Sequence, residues 1–189
     1  TLFRSAFAAR NNIPRAYTDA DEMYRLEQPD VVSICSPNRF HSAQVLQALQ
    51  HGCHVMCEKP PAMTPPEALA MADAADRAGK VLAYDFHHRF AEDCRILREK
   101  VAAGMLGEVY VTQARALRRC GVPGWGVFID KEQQGGGPLI DIGIHMLDAA
   151  MYVLGFPQVT RVSAHQFCKI GNRKHRGLFG EWQPEKYTV

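Results

Sequence analysis

No stretch of these 189 residues reaches the ~20 consecutive apolar positions that a helix needs to cross a bilayer. The N-terminus has no charged-then-apolar secretory pattern, so the expectation is a cytoplasmic protein with no membrane partner. Directing charge is missing too. With 22 basic against 20 acidic residues the chain is near neutral, and nothing selects nucleic acid as a partner. The cluster Arg173, Lys174, His175 and Arg176 reads as a solvated loop. Paired cysteine spacing is also absent: Cys35, Cys53, Cys57, Cys94, Cys120 and Cys168 are scattered and read as small buried hydrophobes, not a disulfide framework. His51, Cys53, His54 and Cys57 are a tempting metal cluster. A strand over residues 55–57 sends Cys53 and Cys57 one way and His54 the other, and no second ligand pair stands at zinc-finger spacing, so no metal is expected.

What is present is an ordinary globular balance, 47% apolar and 22% charged, enough for one full core or parts of two domains. Residues 30–35 (DVVSIC) suit a buried parallel strand. Ser36, Pro37 and Asn38 break it. A helix over about 40–51 follows, with Val45, Leu46 and Leu49 on one side and Gly52 at its end. Residues 54–58 form the next strand. Thr64, Pro65, Pro66 and Glu67 then open a helix with a capping box and proline in the first turn. Ala68, Met71, Ala72 and Ala75 make its expected buried face, and Gly79 stops it. A third strand over 81–86 and a helix over 91–103 continue the alternation, which implies a parallel sheet with right-handed crossovers.

The second half has a different rhythm. Residues 108–116 and 159–169 are longer, β-branched, extended segments that suggest a mixed or antiparallel second sheet. A long loop over 118–134 carries Trp125, either a core plug or a functional side chain. Residues 138–154 are apolar except for Asp141, His145, Asp148 and Tyr152, whose spacing of four, three and four puts them on one stripe of a helix. A helix apolar nearly all round is expected to be buried, and its polar stripe needs partners. Asp141 and His145 either pair with each other at i, i+4 or face a site. Gly135, Gly136 and Gly137, feeding straight into that helix, favour close approach of a ligand or of other backbone.

In open α/β sheets ligands bind beyond the carboxyl ends of the strands. Two polar breaks lie there: Ser36, Pro37 and Asn38 with His41 one turn on, and Glu58, Lys59 and Pro60. A strand-end lysine is commonly only solvated, so position alone leaves the role of Lys59 open.

PDVVSICSPNRFH (residues 29–41), CEKP (57–60), HHRF (87–90), the turn at 104–107 and GGGPLIDIGIHMLD (135–148), in this order and spacing, resemble the Gfo/Idh/MocA family of NAD(P)-dependent oxidoreductases. The resemblance implies an α/β fold: an incomplete Rossmann-like parallel sheet followed by part of an α+β domain with a mostly antiparallel sheet. It divides the chain into the C-terminal part of a dinucleotide-binding domain (1–86) and the N-terminal part of a substrate and oligomerisation domain (87–189). It implies hydride transfer between NAD or NADP and a sugar, sugar-derivative or cyclitol hydroxyl, with Lys59, Asp141 and His145 as catalytic residues. Ser36, Pro37, Asn38, His41, Glu58, Lys59 and Pro60 are the implied cofactor contacts, and Arg89, Trp125 and Asp148 the substrate side. A homo-oligomer formed through the second sheet is expected. The alternative is a regulatory protein of the same fold that binds NAD(P) or sugar without turnover. No G-x-G-x-x-G occurs in the chain, so it is expected to be an internal piece of a longer enzyme that binds cofactor poorly alone.

Overall fold

Three short runs of β-branched and small apolar residues assemble into one parallel sheet: β1 (Val31–Ile34), β2 (His54–Cys57) and β3 (Leu82–Tyr84), in that spatial order. Val32 pairs with Val55 and Val55 with Leu82, so the register aligns apolar side chains that face the core, Val55 buried and its two partners partly so. The structure is a computed structural model and describes residues 2–118, 122–124, 126–174, 176–177 and 180–189.

Helices α1 (Leu2–Arg10) and α2 (Ala20–Glu27) precede the sheet, and Asp19 caps α2 by accepting from the backbone of Asp21 and Glu22. The crossovers are α3 (His41–Gln50) and α4 (Pro65–Ala78). At the start of α4 the Glu67 carboxylate accepts from the Thr64 N–H at 2.9 Å and from its hydroxyl at 3.0 Å, and the Thr64 side chain accepts from the Glu67 backbone to complete a capping box. The core lies between these two helices and one face of the sheet, where Val45, Leu49, Val55, Cys57, Met71 and Ala75 are buried. Ala72 was expected with them and is exposed, because the Met71 and Ala75 row points inward and the next position turns to solvent. Of the cysteines, Cys53 and Cys57 are buried as expected. Cys35 and Cys168 are exposed, against expectation, since both lie in chain that no helix covers, and Cys120 lies outside the described residues. The opposite face of the sheet is open among the described residues, with Met56 44% exposed.

Beyond β3 come a 3-10 turn (His87–Phe90), α5 (Glu92–Ala102), α6 (Lys131–Gln134), a π-helical turn (Leu139–Gly143) and α7 (Ile144–Val153). A short antiparallel pair, β4 (Arg176–Gly177) with β5 (Gly180–Glu181), lies near the end. The expected strands over 108–116 and 159–169 are not formed among the described residues. A strand exists by pairing, and these two segments find no ladder partner, leaving Tyr110 88% exposed. The mostly antiparallel second sheet is therefore absent among the described residues.

The apolar helix is also built differently from expectation. Leu147 is 51% exposed while His145 and Asp148 are buried. The helix turns its polar stripe inward because the end of β2 and the His87–Phe90 turn supply charged and aromatic partners for it. Among the described residues no helix is long and apolar enough to cross a membrane.

Candidate active site

The loops at the carboxyl ends of β1 and β2 are locked together by histidine. The His41 ring is wholly buried, with Nδ1 2.9 Å from the Pro60 carbonyl oxygen and Nε2 2.9 Å from that of Ser36. Asn38 is buried as well and donates from Nδ2 to the Gln134 carbonyl at 2.9 Å, joining the β1 loop to α6 across the two halves of the chain. Both were expected to touch cofactor. In this structure both His41 ring nitrogens and Asn38 Nδ2 are engaged by backbone carbonyls, which ties the loops together. Pro60, another expected contact, is buried with its carbonyl taken by His41. Ser36, Pro37 and Glu58 stay half-buried at the rim, Ser36 donating to Gln44 Oε1 at 2.6 Å.

Lys59 leaves the end of β2 through a cis peptide to Pro60 and reaches the apolar helix. Its ammonium donates to the Asp141 carbonyl at 2.5 Å and to Asp141 Oδ1 at 3.1 Å. The Asp141 carboxylate thus meets Lys59. Asp141 lies in the π-helical turn Leu139–Gly143, which is wider than an α turn and runs straight into α7 and His145.

His145 is 4% exposed, and among the described residues its Nδ1 is buried without a hydrogen-bond partner. Burial first, then the charge of Lys59 and the neighbouring His87 and His88, push its pKa down to about 4, with Asp141 opposing. The His87 and His88 rings lie 4.6 Å and 5.0 Å from that of His145, and His87 Nδ1 is 3.7 Å from Asp85 Oδ1. In the sequence HHRF carries only the family resemblance, and Asp85, His87 and His88 have no role assigned from it. The signal was available, since they follow β3 at its carboxyl end, the same place that drew attention to the loops after β1 and β2. One ring nitrogen from each of the three histidines lies within 4.8 Å of the others, so the trio is the one place among the described residues where imidazoles gather as metal ligands do.

Arg89 and Asp148, expected to line the substrate side, are bound to each other: Nε to Oδ2 at 2.8 Å and Nη2 to Oδ1 at 2.5 Å. The guanidinium also lies over the rings of Phe86, Tyr152 and Phe156. Neither charge points into open space, because each satisfies the other. Trp125, the third expected substrate-side residue, lies outside the described residues.

Beside Asp141 opens a cavity of about 390 Å³, with Phe128, Trp182 and Tyr187 among its walls and Lys169 at its edge. Its size and its mixture of aromatic and polar walls suit a small polar molecule. The glycine run closes tightly against protein: at Gly135, with φ +84°, a Cβ would stand 2.9 Å from Met63 Sδ. An unpartnered buried imidazole within reach of the Lys59 charge fits the nicotinamide end of a dinucleotide. No glycine turn for the pyrophosphate occurs in these residues.

A family model described as an oxidoreductase family with an NAD-binding Rossmann fold matches residues 4–86, and one described as the C-terminal alpha/beta domain of an oxidoreductase family matches residues 98–188. The D-glucoside 3-dehydrogenase of Escherichia coli K12 is 65% identical over 184 residues, 97% of this chain and 52% of that protein. The 1,5-anhydro-D-fructose reductase of Ensifer adhaerens is 34% identical over 154 residues, 79% of this chain and 45% of that protein. Among solved structures, an NAD-binding protein from Listeria innocua matches with a TM-score of 0.70 at 32% identity, over 78% of this chain and 43% of that one. The chain spans about half the length of the curated relatives it matches.

Proposed function

Since the chain belongs to the Gfo/Idh/MocA family of oxidoreductases, we propose that it carries the catalytic cleft of an NAD(P)-dependent dehydrogenase acting on a ring hydroxyl of a sugar, sugar derivative or cyclitol. D-glucosides are the first substrates to try, given the name of the E. coli relative. One observation carries the reading: a lysine from the end of one sheet closes on Asp141, one turn before a buried imidazole with a free nitrogen.

Bound nicotinamide supplies the hydride acceptor, and Ser36, Pro37, Glu58 and Lys59 hold its ribose end. Residues 1–86 serve the cofactor and residues 87–189 the substrate. The cavity beside Asp141, with Trp182 and Tyr187 in its walls, is the place for the sugar ring, whose reacting hydroxyl must extend past Asp141 to reach Lys59 and His145, which stand outside its lining. Lys59, fixed by Asp141, donates to the reacting oxygen and stabilises the negative charge that develops as the O–H bond weakens. His145 takes the hydroxyl proton. A neutral imidazole is the form that burial and the nearby ammonium favour. Low basicity suffices here, because an alcohol losing hydride approaches a protonated carbonyl, a far stronger acid than imidazolium. A cytoplasmic location and self-association complete the reading, the unpaired extended segments at 108–116 and 159–169 offering the edges for the latter.

The test is absorbance at 340 nm with NAD+ or NADP+ and D-glucosides, in a chain that carries these residues behind a glycine-rich pyrophosphate turn. Sugar-dependent formation of reduced cofactor is expected, and its loss in His145→Ala. Tight cofactor binding with no turnover of glucosides, other sugars or cyclitols would identify a sensor instead.

A further inference from the structure

The proton that His145 takes from a substrate must leave before the next turnover, and the imidazole is almost sealed from water. His87 stands between it and the surface. Its ring is 4.6 Å from that of His145, its side chain is 59% exposed, and its Nδ1 faces Asp85 Oδ1 at 3.7 Å. We propose that His87 and Asp85 form a proton relay that carries the substrate proton from His145 to solvent. This rests on the dehydrogenase reading of the same site.

The ring nitrogens of His87, His88 and His145 lie within 4.8 Å of one another. A direct hydrogen bond needs about 3 Å. A single water accepting from one group and donating to the next bridges heavy atoms up to about 4.6 Å apart, a span compatible with ring nitrogens that lie within 4.8 Å of one another. His87 is the exit because it alone of the pair beside His145 has both a carboxylate opposite and an open route to solvent. His88 is less exposed, and among the described residues no ion pair joins it to a carboxylate.

The charged groups around His145 drive the proton outward. From the β2 loop Lys59 repels it, and from the preceding turn Asp141 is engaged by that lysine. On the His87–Phe90 turn Arg89 is neutralised by Asp148 of α7, so Asp85 is the carboxylate left to receive. In each oxidation the C–H electron pair leaves as hydride to the cofactor and the O–H proton goes to His145. The carbonyl forms, and the proton passes through His87 to Asp85 and bulk water, returning His145 to its neutral form. Reduction runs the same path in reverse.

The experiment compares His87→Gln, Asp85→Asn and His145→Ala with the wild type in the catalytically complete chain. The expected result is a kcat at least ~10-fold lower in His87→Gln, with the KM for sugar nearly unchanged and kcat restored as imidazole buffer is raised. Asp85→Asn should show a smaller loss with the same buffer response. Wild-type kcat should not depend on buffer concentration. Normal kcat in His87→Gln, or a loss in folded protein that no buffer restores, overturns the relay while His145→Ala still tests the dehydrogenase reading. If the wild type reduces no cofactor with any sugar, both fall.

Discussion

Arg89 holds Asp148 in a two-pronged grip, Nε on Oδ2 and Nη2 on Oδ1, and so fastens the turn after β3 to the middle of α7. The carboxylate is buried and the guanidinium about two-thirds so. Removing one partner of a fully buried pair costs 3–5 kcal/mol, and partial access of Arg89 to water lowers the expected loss in Asp148→Ala to about 2 kcal/mol. Arg89→Lys keeps the charge and loses the fork, at about 1 kcal/mol. Urea unfolding measures both. A raised KM for sugar with unchanged stability would instead put Arg89 on the substrate.

Lys59 and His145 are assigned to different events, hydrogen bonding of the reacting oxygen and proton removal. Lys59→Ala and His145→Ala should each lower kcat by at least ~100-fold with cofactor affinity largely kept. Asp141→Asn leaves the backbone carbonyl on the ammonium, so a smaller loss of roughly 10-fold is expected. Steady-state kinetics with cofactor titration separates the effects, and unchanged turnover in both alanine variants would end the assignment.

The pKa of His145 leads to a pH dependence of stability. Its folded value, about 4, lies below the ordinary 6.5. Between those values the unfolded chain binds more protons, so stability rises with pH across that window. The contribution is complete above pH 6.5 and is lost as pH falls through 4, to the extent of about 3 kcal/mol. His145→Gln should flatten the slope between pH 4 and 6.5 in denaturant melts. An equal slope in the variant would mean that the imidazole is protonated as readily in the fold as outside it.

Asn38→Ala removes the buried tie to the Gln134 carbonyl and leaves that oxygen without its donor. The expected cost is about 1–2 kcal/mol. Faster amide exchange in α6 is the accompanying sign, because α6 is held to the β1 loop by this bond. Loss of cofactor affinity at full stability would restore the cofactor role that sequence reasoning gave Asn38.

Local chemistry was readable where the chain states it within a few residues. Thr64 and Glu67 declare the start of α4, and Gly79 its end. The three strands announce themselves as apolar runs bounded by breakers. The polar stripe of the apolar helix pointed to Asp141 and His145 before any contact was known. What could not be read depends on partners far apart in sequence. Lys59 and Asp141 are 82 positions apart, and Asn38 and Gln134 are 96 apart. Burial of His41 between two carbonyls is likewise set by where two loops meet. The segments at 108–116 and 159–169 have strand composition, but composition does not supply a neighbour. A π turn differs from an α turn by one hydrogen-bond step, which no residue in LIDIG encodes unambiguously.

That turn at Leu139–Gly143 also sets the rotational phase of everything after it. Winding one residue fewer into the segment would continue a regular α-helix and swing each later side chain by ~100° about the axis. His145 would then be carried off the line to Lys59, and Asp148 away from Arg89. Single-residue insertions or deletions here act as a dial on the whole cleft, so length is under tighter constraint at these five positions than side-chain identity.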